Sequence, residues 1–445
     1  MYTMVFLDYL RQEVFLRRPA LKSIYEAEGR RTVLEYVHSW QIPQAGGLDL
    51  LFVEAFKKTA EEFVGAKFAS LVSAQLKSKP IVSTIDHHGL WGHPTFVNAD
   101  IMYSLRFSSS EFAIILPTES VSLNNTSSWS ACSLYHDSNG ETRRFSVLPS
   151  RYKTLPVIST PAFNNSHLAR FEKLNHYTRS FSRVAKLANL LDQTSFSHQA
   201  SLASQNIWHE VFPSAPKAVY VPLEQVVKEF LLTIANLPNH PLYRLVFTAP
   251  GRNAWRSEFD NEHTFLFWQI GSHGRRQSLN GIVDSQEIVT QLEAGKWYAS
   301  SPLCFAALLI AGVACVGGFT QTTWLTQVAK KLGGLLENLG QREAVSSIGY
   351  IPTKLFAESA LAFIKSPAGV IRPASGDLIS SQRDYYPLFK QLAGALTLKE
   401  SIDLNLPTIY SVVVPKVEQD PAFNVNTAQA EIEEKFKIDK LLTSL

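Results

Sequence analysis

Cys132, Cys304 and Cys315 are the only cysteines in 445 residues, an odd number too small for a disulfide framework, so a reducing compartment and a cytoplasmic protein are expected. None of the three has a CxxC partner, which removes the usual thiolate zinc and dithiol redox motifs. Charge is also scarce: 18% of residues are charged, and 42 Lys and Arg against 39 Asp and Glu leave a net +3, well short of a dedicated nucleic-acid surface. Little charge combined with 45% hydrophobic residues excludes bulk disorder. Glycine and proline, 22 each, follow no G-X-Y period, which excludes a fibre. The most apolar segment, residues 302–320, lacks a close Lys/Arg belt and ends near Gly317-Gly318, so it reads as a buried central helix and no membrane span is expected. The first ten residues lack a basic start and are interrupted by Asp8, which suits a packing helix better than a secretory signal.

What the chain does contain is an alternation of helical and extended patterns, which predicts a mixed α/β or α+β fold. It divides into three segments. Residues 1–150 form a helical N-terminal layer followed by the first strands, at 80–85, 111–116 and 145–148. Residues 151–300 form a mixed region with helices at 168–191 and 223–237, a strand at 242–248 and a hairpin over 264–283. Residues 301–445 are helix-rich, with helices at 302–316, 322–338, 353–365 and 386–396, a β-branched strand at 408–414 and a final helix from about residue 428. The short strands are expected to form a central sheet, with boundaries near residues 149–160 and 299–302.

The segment with the most chemistry is Ile85-Asp86-His87-His88-Gly89-Leu90-Trp91-Gly92-His93, at the exit of the apolar run 81–85. Imidazole and carboxylate are the natural ligand set for Zn²⁺, Mn²⁺ or Fe²⁺, and open sheets place their sites at the carboxyl ends of strands. Asp86, His87, His88 and His93 are therefore candidate ligands of a divalent metal. Adjacent His87 and His88 on an extended chain point to opposite faces, so both could bind one ion only if the backbone bends, which Gly89 and Gly92 would allow. Alternatively one histidine acts as a general base with Asp86 fixing its tautomer, or the turn is structural and the histidines pack or cap.

Asp86-His87-His88 after an apolar strand resembles the motif that names the DHH phosphoesterases. That resemblance implies that these residues help to hold a pair of Mn²⁺ ions. It is confined to this segment, because the family's upstream Asp-x-Asp motif has no counterpart: residues 1–85 contain only Asp8 and Asp49. A His-x-x-x-Asp acyltransferase motif is absent too, since Trp91, Gly92 and Val97 stand where the aspartate would be.

A second constellation spans residues 249–263, where Arg252 and Arg256 could clamp an anionic group beside Pro250-Gly251 and Trp255 could wall a pocket. Glu258, Asp260 and His263 could add ligands or acid/base groups there. In an extended segment, however, Arg256, Glu258, Asp260 and Glu262 share one face and simply neutralise one another. The loops at Asn124-Asn125 and Asn164-Asn165 offer amides for a polar small molecule, or Asx-turns. Around His273, two glycines mark a hairpin tip and not a phosphate loop. Gly312, Gly317 and Gly318 have neither the spacing nor, within a helix, the setting of a dinucleotide fingerprint, so no nucleotide cofactor is expected. No Gly-x-Ser-x-Gly elbow is present.

These features predict an intracellular enzyme acting on a polar, anionic small molecule. Metal-assisted hydrolysis at Asp86, His87, His88 and His93 is the leading reaction, with Arg252, Arg256, Trp255, Asn124 and Asn125 binding the substrate. A metal-free transferase with a histidine base, or a non-catalytic binding protein, are the alternatives. Chemical economy also predicts that the two constellations line one cleft.

Overall fold

A computed structural model describes residues 2–43, 47–87, 93–124, 132–136, 142–146, 148–171, 180–181, 189–193, 195–259, 265–279, 284–365, 371–373, 376–381, 383–421 and 423–438. At its centre lie five parallel strands: β1 (Ile81–Ser83), β2 (Phe112–Ile115), β3 (Lys217–Tyr220), β4 (Ala314–Gly317) and β5 (Leu355–Phe356). All of Ile81, Val82, Ala113, Ile114, Val316 and Phe356 are buried, as strands covered on both faces require. Ser83 pairs with Ile115 on one side and with Val316 on the other, which places β1 in the middle.

Across the sheet the strands run β5-β4-β1-β2-β3. The chain builds outward from β1 through β2 to β3, then crosses back to lay β4 on the other flank of β1. This is the order of a doubly wound sheet, and its direction of winding reverses between β1 and β4. One sheet thus draws strands from each of the segments 1–150, 151–300 and 301–445.

The helical N-terminal layer comprises Tyr2–Arg17, Pro19–Glu28, Val33–His38 and Leu50–Ser78. A capping box between Thr32 and Glu35 starts the third helix, and Asp49 caps the fourth by accepting from the Leu51 amide at 2.8 Å. Phe52 of that fourth helix meets Phe230 of Leu223–Ile234 edge-on at 5.4 Å, so that two of the helices flanking the sheet share one apolar seam. Smaller antiparallel sheets lie outside: Cys132–His136 with Thr142–Ser146, Phe363–Lys365 with Ile371–Pro373, and Phe267–Ile270 between Arg276–Ser278 and Trp297–Ala299. His273 and Gly274, both at positive φ, form the expected tip between residues 270 and 276.

Several stretches differ from their sequence patterns. Residues 302–320 are not one helix. The helix Ser301–Ile310 ends, Gly312 turns the chain at φ 81°, and β4 begins at Ala314. A Cβ at Gly312 would sit 2.4 Å from the Gly47 carbonyl oxygen, which explains the glycine there. A buried helix and a buried strand are equally apolar, so periodicity could not separate them. Residues 241–246 are helical, with His240 as N-cap and Pro241 in the first turn. Residues 408–413 complete the helix Leu398–Val413, where Tyr410 packs on Tyr9 of the first helix and overrides β propensity. Residues 353–365 are not helical and contain β5. Among the described residues no helix is long and apolar enough to cross a membrane.

Ile114 is 1% exposed in β2, whereas Leu71 is 50% exposed on Leu50–Ser78. Ile114→Ala should lower unfolding stability in urea by about 2–5 kcal/mol. Leu71→Ala should change it by no more than about 0.5 kcal/mol. Equal effects would contradict the burial of the sheet.

Candidate functional site

Where the winding reverses, the loops leaving β1 and β4 diverge and a crevice opens at the carboxyl ends of the strands. A cavity of about 420 Å³ occupies that place, a size suited to a small molecule. Thr84, Ile85 and His87 line it from the loop after β1, and Gly318, Thr320 and Gln321 line it from the turn after β4. Gln321 donates to Thr84 Oγ1 at 2.6 Å, tying the two loops across the switch. Phe96, Phe305 and Trp324 supply apolar wall, the last two meeting edge-on at 5.0 Å.

Among the described residues, three titratable groups line this cavity: His87, His93 and Glu358. Burial lowers His87 to about 4, because the imidazolium would lose its water. His93 is lowered to about 4 by burial first and then by the positive charge of Arg144. It also caps the helix Pro94–Ser104, Nδ1 accepting from the Thr95 amide at 3.4 Å, so the ring hydrogen is carried on Nε2. Both rings pack beside Phe96, at 5.7 and 5.6 Å between centroids. Glu358 moves the opposite way: burial raises it to about 8, against a smaller lowering by the Phe319 amide, which donates to Oε2 at 3.2 Å. At neutral pH the described lining residues therefore present two neutral imidazoles and one neutral carboxyl group.

A pair of acids shapes the wall formed by Thr118 and Val121. Glu224 accepts the amides of Glu119 and Ser120 at 2.8 and 2.9 Å, fixing the loop after β2. Burial, then the neighbouring Glu224, raises Glu119 to about 8, and Ser197 and Gln225 donate to its carboxyl group.

Asp86 does not line the cavity. It is 3% exposed and interacts electrostatically with Asp100 and Tyr220, whose hydroxyl donates to Asp100 Oδ2 at 2.7 Å. Burial and then the charge of Asp86 push Asp100 well above the usual carboxyl range. His88 lies outside the described residues. Among the described residues, no group of three or more His, Cys, Asp or Glu is arranged to hold a metal ion.

The second constellation is elsewhere. Residues 249–259 form the helix Ala249–Phe259, so the alternating-face reading does not apply. Helical spacing instead stacks buried Trp255 on Phe259 at 4.2 Å. This helix packs on the later turns of Phe319–Asn338, where Lys331 donates to the Glu258 carbonyl at 2.8 Å. Arg252 bonds the Val246 carbonyl, and burial lowers its pKa. Arg252, Trp255 and Arg256 are not among the residues lining the cavity, so the expected shared cleft is not formed by them. Asp260, Glu262 and His263 lie outside the described residues, as does Asn125. Asn124 is exposed and accepts from Ser122, while Asn164 accepts from Ser166, each amide serving its own turn.

The lining residues Thr84, Gln321, Glu358, Phe305 and Trp324 carried no sequence motif. Gly317-Gly318 was a usable signal: it marks a strand-to-helix turn once the preceding apolar residues are seen to be a strand. No protein-family model, curated protein or solved structure matches the chain.

The acid at Glu358 has a thermodynamic signature. Unfolded, it ionises near its ordinary 4.5; folded, it keeps its proton to about 8. The folded state therefore binds more protons between these values, and this contribution to stability is complete below 4.5 and is lost as pH rises to 8. Glu358→Gln keeps an acceptor for the Phe319 amide but cannot ionise. The melting temperature of the variant minus that of the wild type should rise steadily from pH 5 to 8; a flat difference would mean that Glu358 titrates normally.

Proposed function

We propose that this protein is an enzyme that binds a small molecule in the switch-point cavity and catalyses a group transfer or hydrolysis by acid–base chemistry at His87 and Glu358. The observation that carries this reading is that an imidazole and a carboxyl group with opposite pKa shifts line the same cavity. Divergent pKa values of this kind separate a proton acceptor from a proton donor. Neutral His87 takes the proton of an attacking hydroxyl group or water. Protonated Glu358 gives its proton to the departing group. The resulting imidazolium and carboxylate return to the neutral pair by exchanging the proton. The free cysteines Cys304 and Cys315, both buried thiols, support an intracellular setting.

The test is a screen of pooled small polar compounds incubated with the protein, with substrate loss followed by mass spectrometry. Turnover by wild type should fall by about 10²–10⁴ in His87→Asn and in Glu358→Gln. For the wild type, kcat/KM should be level between the two shifted values, falling below about pH 4 and above about pH 8. Turnover that survives both substitutions would sink the acid–base assignment. Turnover abolished by chelator and restored by Zn²⁺, Mn²⁺ or Fe²⁺ would instead favour metal-assisted hydrolysis involving Asp86, His87, His88 and His93.

A further inference from the structure

Resting on that reading of the cavity as a ligand site, we propose that Glu358 determines its specificity. Its carboxyl group fills the amide seat at the start of the helix Phe319–Asn338, so the cavity takes an uncharged ligand and rejects phosphate and carboxylate groups. A helix of 20 residues beginning directly after a central strand at a topological switch is where doubly wound folds hold anions, using amides left free at the helix start. Here the N-cap is Gly318, which has no side chain with which to cap them. Glu358 reaches in from the segment after β5, and its Oε2 receives the Phe319 amide at 3.2 Å. The approach is so close that a Cβ on Gly318 would stand 2.2 Å from that oxygen. A glycine at Gly318 thus leaves room for this chain's own carboxyl group.

The rest of the lining offers an anion nothing in exchange. No Lys or Arg is among the described residues that line the cavity. Arg18 lies over the Phe319 ring at 5.9 Å and Arg144 acts on His93, but neither belongs to the lining. An ionised group would give up its water, meet Glu358 at the helix start and find no Lys or Arg among the described lining residues. An uncharged molecule with a ring has better partners: the aromatic walls at Phe96, Phe305 and Trp324, and the polar side chains of His87, Thr320 and Glu358.

Inorganic phosphate is the probe, compared with chloride at equal ionic strength by thermal unfolding and calorimetry. Wild type should show no phosphate-dependent stabilisation. Glu358→Ala and Glu358→Ser, which vacate the seat, should each bind phosphate about tenfold or more tighter than wild type. Adding Thr320→Trp, which sets a bulky side chain at an exposed position of the lining beside the helix start, should abolish that gain. The inference is overturned if wild type binds phosphate and loses it on Thr320→Trp, or if neither folded Glu358 variant gains phosphate binding. The serine variant, which retains a hydroxyl near the Phe319 amide, serves if the alanine variant does not fold. This result is separable from catalysis. Phosphate gain in the variants with no turnover by wild type would remove the enzyme reading alone, and His87-dependent turnover by a wild type that binds phosphate in the cavity would remove only the anion-excluding role given to Glu358.

Discussion

Backbone pairing between β1 and β4 is the constraint on which the site depends. Ile81, Val82 and Ser83 lie in register with Ala314, Cys315 and Val316, and the Thr84 amide continues the ladder to the Val316 carbonyl across 232 residues of sequence. Buried amides and carbonyls must be paired, so two strands covered on both faces have little freedom to slip or part. Because the chain leaves β1 and β4 in opposite directions, the same pairing that closes the sheet opens the crevice above it. Removing that ladder would remove the cavity as well as the core.

Around the crevice, burial acts on charge. His87, His93, Glu358, Asp100 and Glu119 are all shifted toward their neutral forms, with desolvation the first cause in each. The acids close to one another add repulsion: Asp86 acts on Asp100, and Glu224 on Glu119. Hydrogen bonds satisfy these buried acids: Glu224 takes two amides of the loop after β2, Glu358 takes the first amide of a long helix, and Asp100 and Glu119 take side-chain donors. The carboxyl groups thus position loops that an apolar residue could not hold. One consequence is a cavity wall rich in hydrogen-bonding groups and poor in charge.

Much of this was legible in residue order. The helical layer follows from apolar spacing. The histidines stand out because they follow an apolar strand, but that Asp86 is buried and does not line the cavity that His87 lines came only from the fold. Other readings failed for definite reasons. The charges from Arg252 to Glu258 look like a polar loop in one dimension, yet helical spacing buries Trp255 and Phe259 on one face and carries the arginines away from the crevice. Glu358 had no motif at all. It matters because β5 pairs with β4 and so delivers a carboxyl group to an amide 39 residues earlier.

By itself, the amino-acid sequence determined which segments are buried, where many helices begin, and that a histidine-bearing turn leaves the end of a strand. Only the tertiary structure decided which strands are neighbours, that the apolar run 302–320 is a helix and a strand joined at Gly312, and which acid lines the same cavity as His87. The physical reason is that parallel strands pair through backbone groups that every residue shares. An apolar pattern can mark a strand as buried, but it carries no label for the partner. Side chains that act together across a switch point are brought there by that unlabelled pairing.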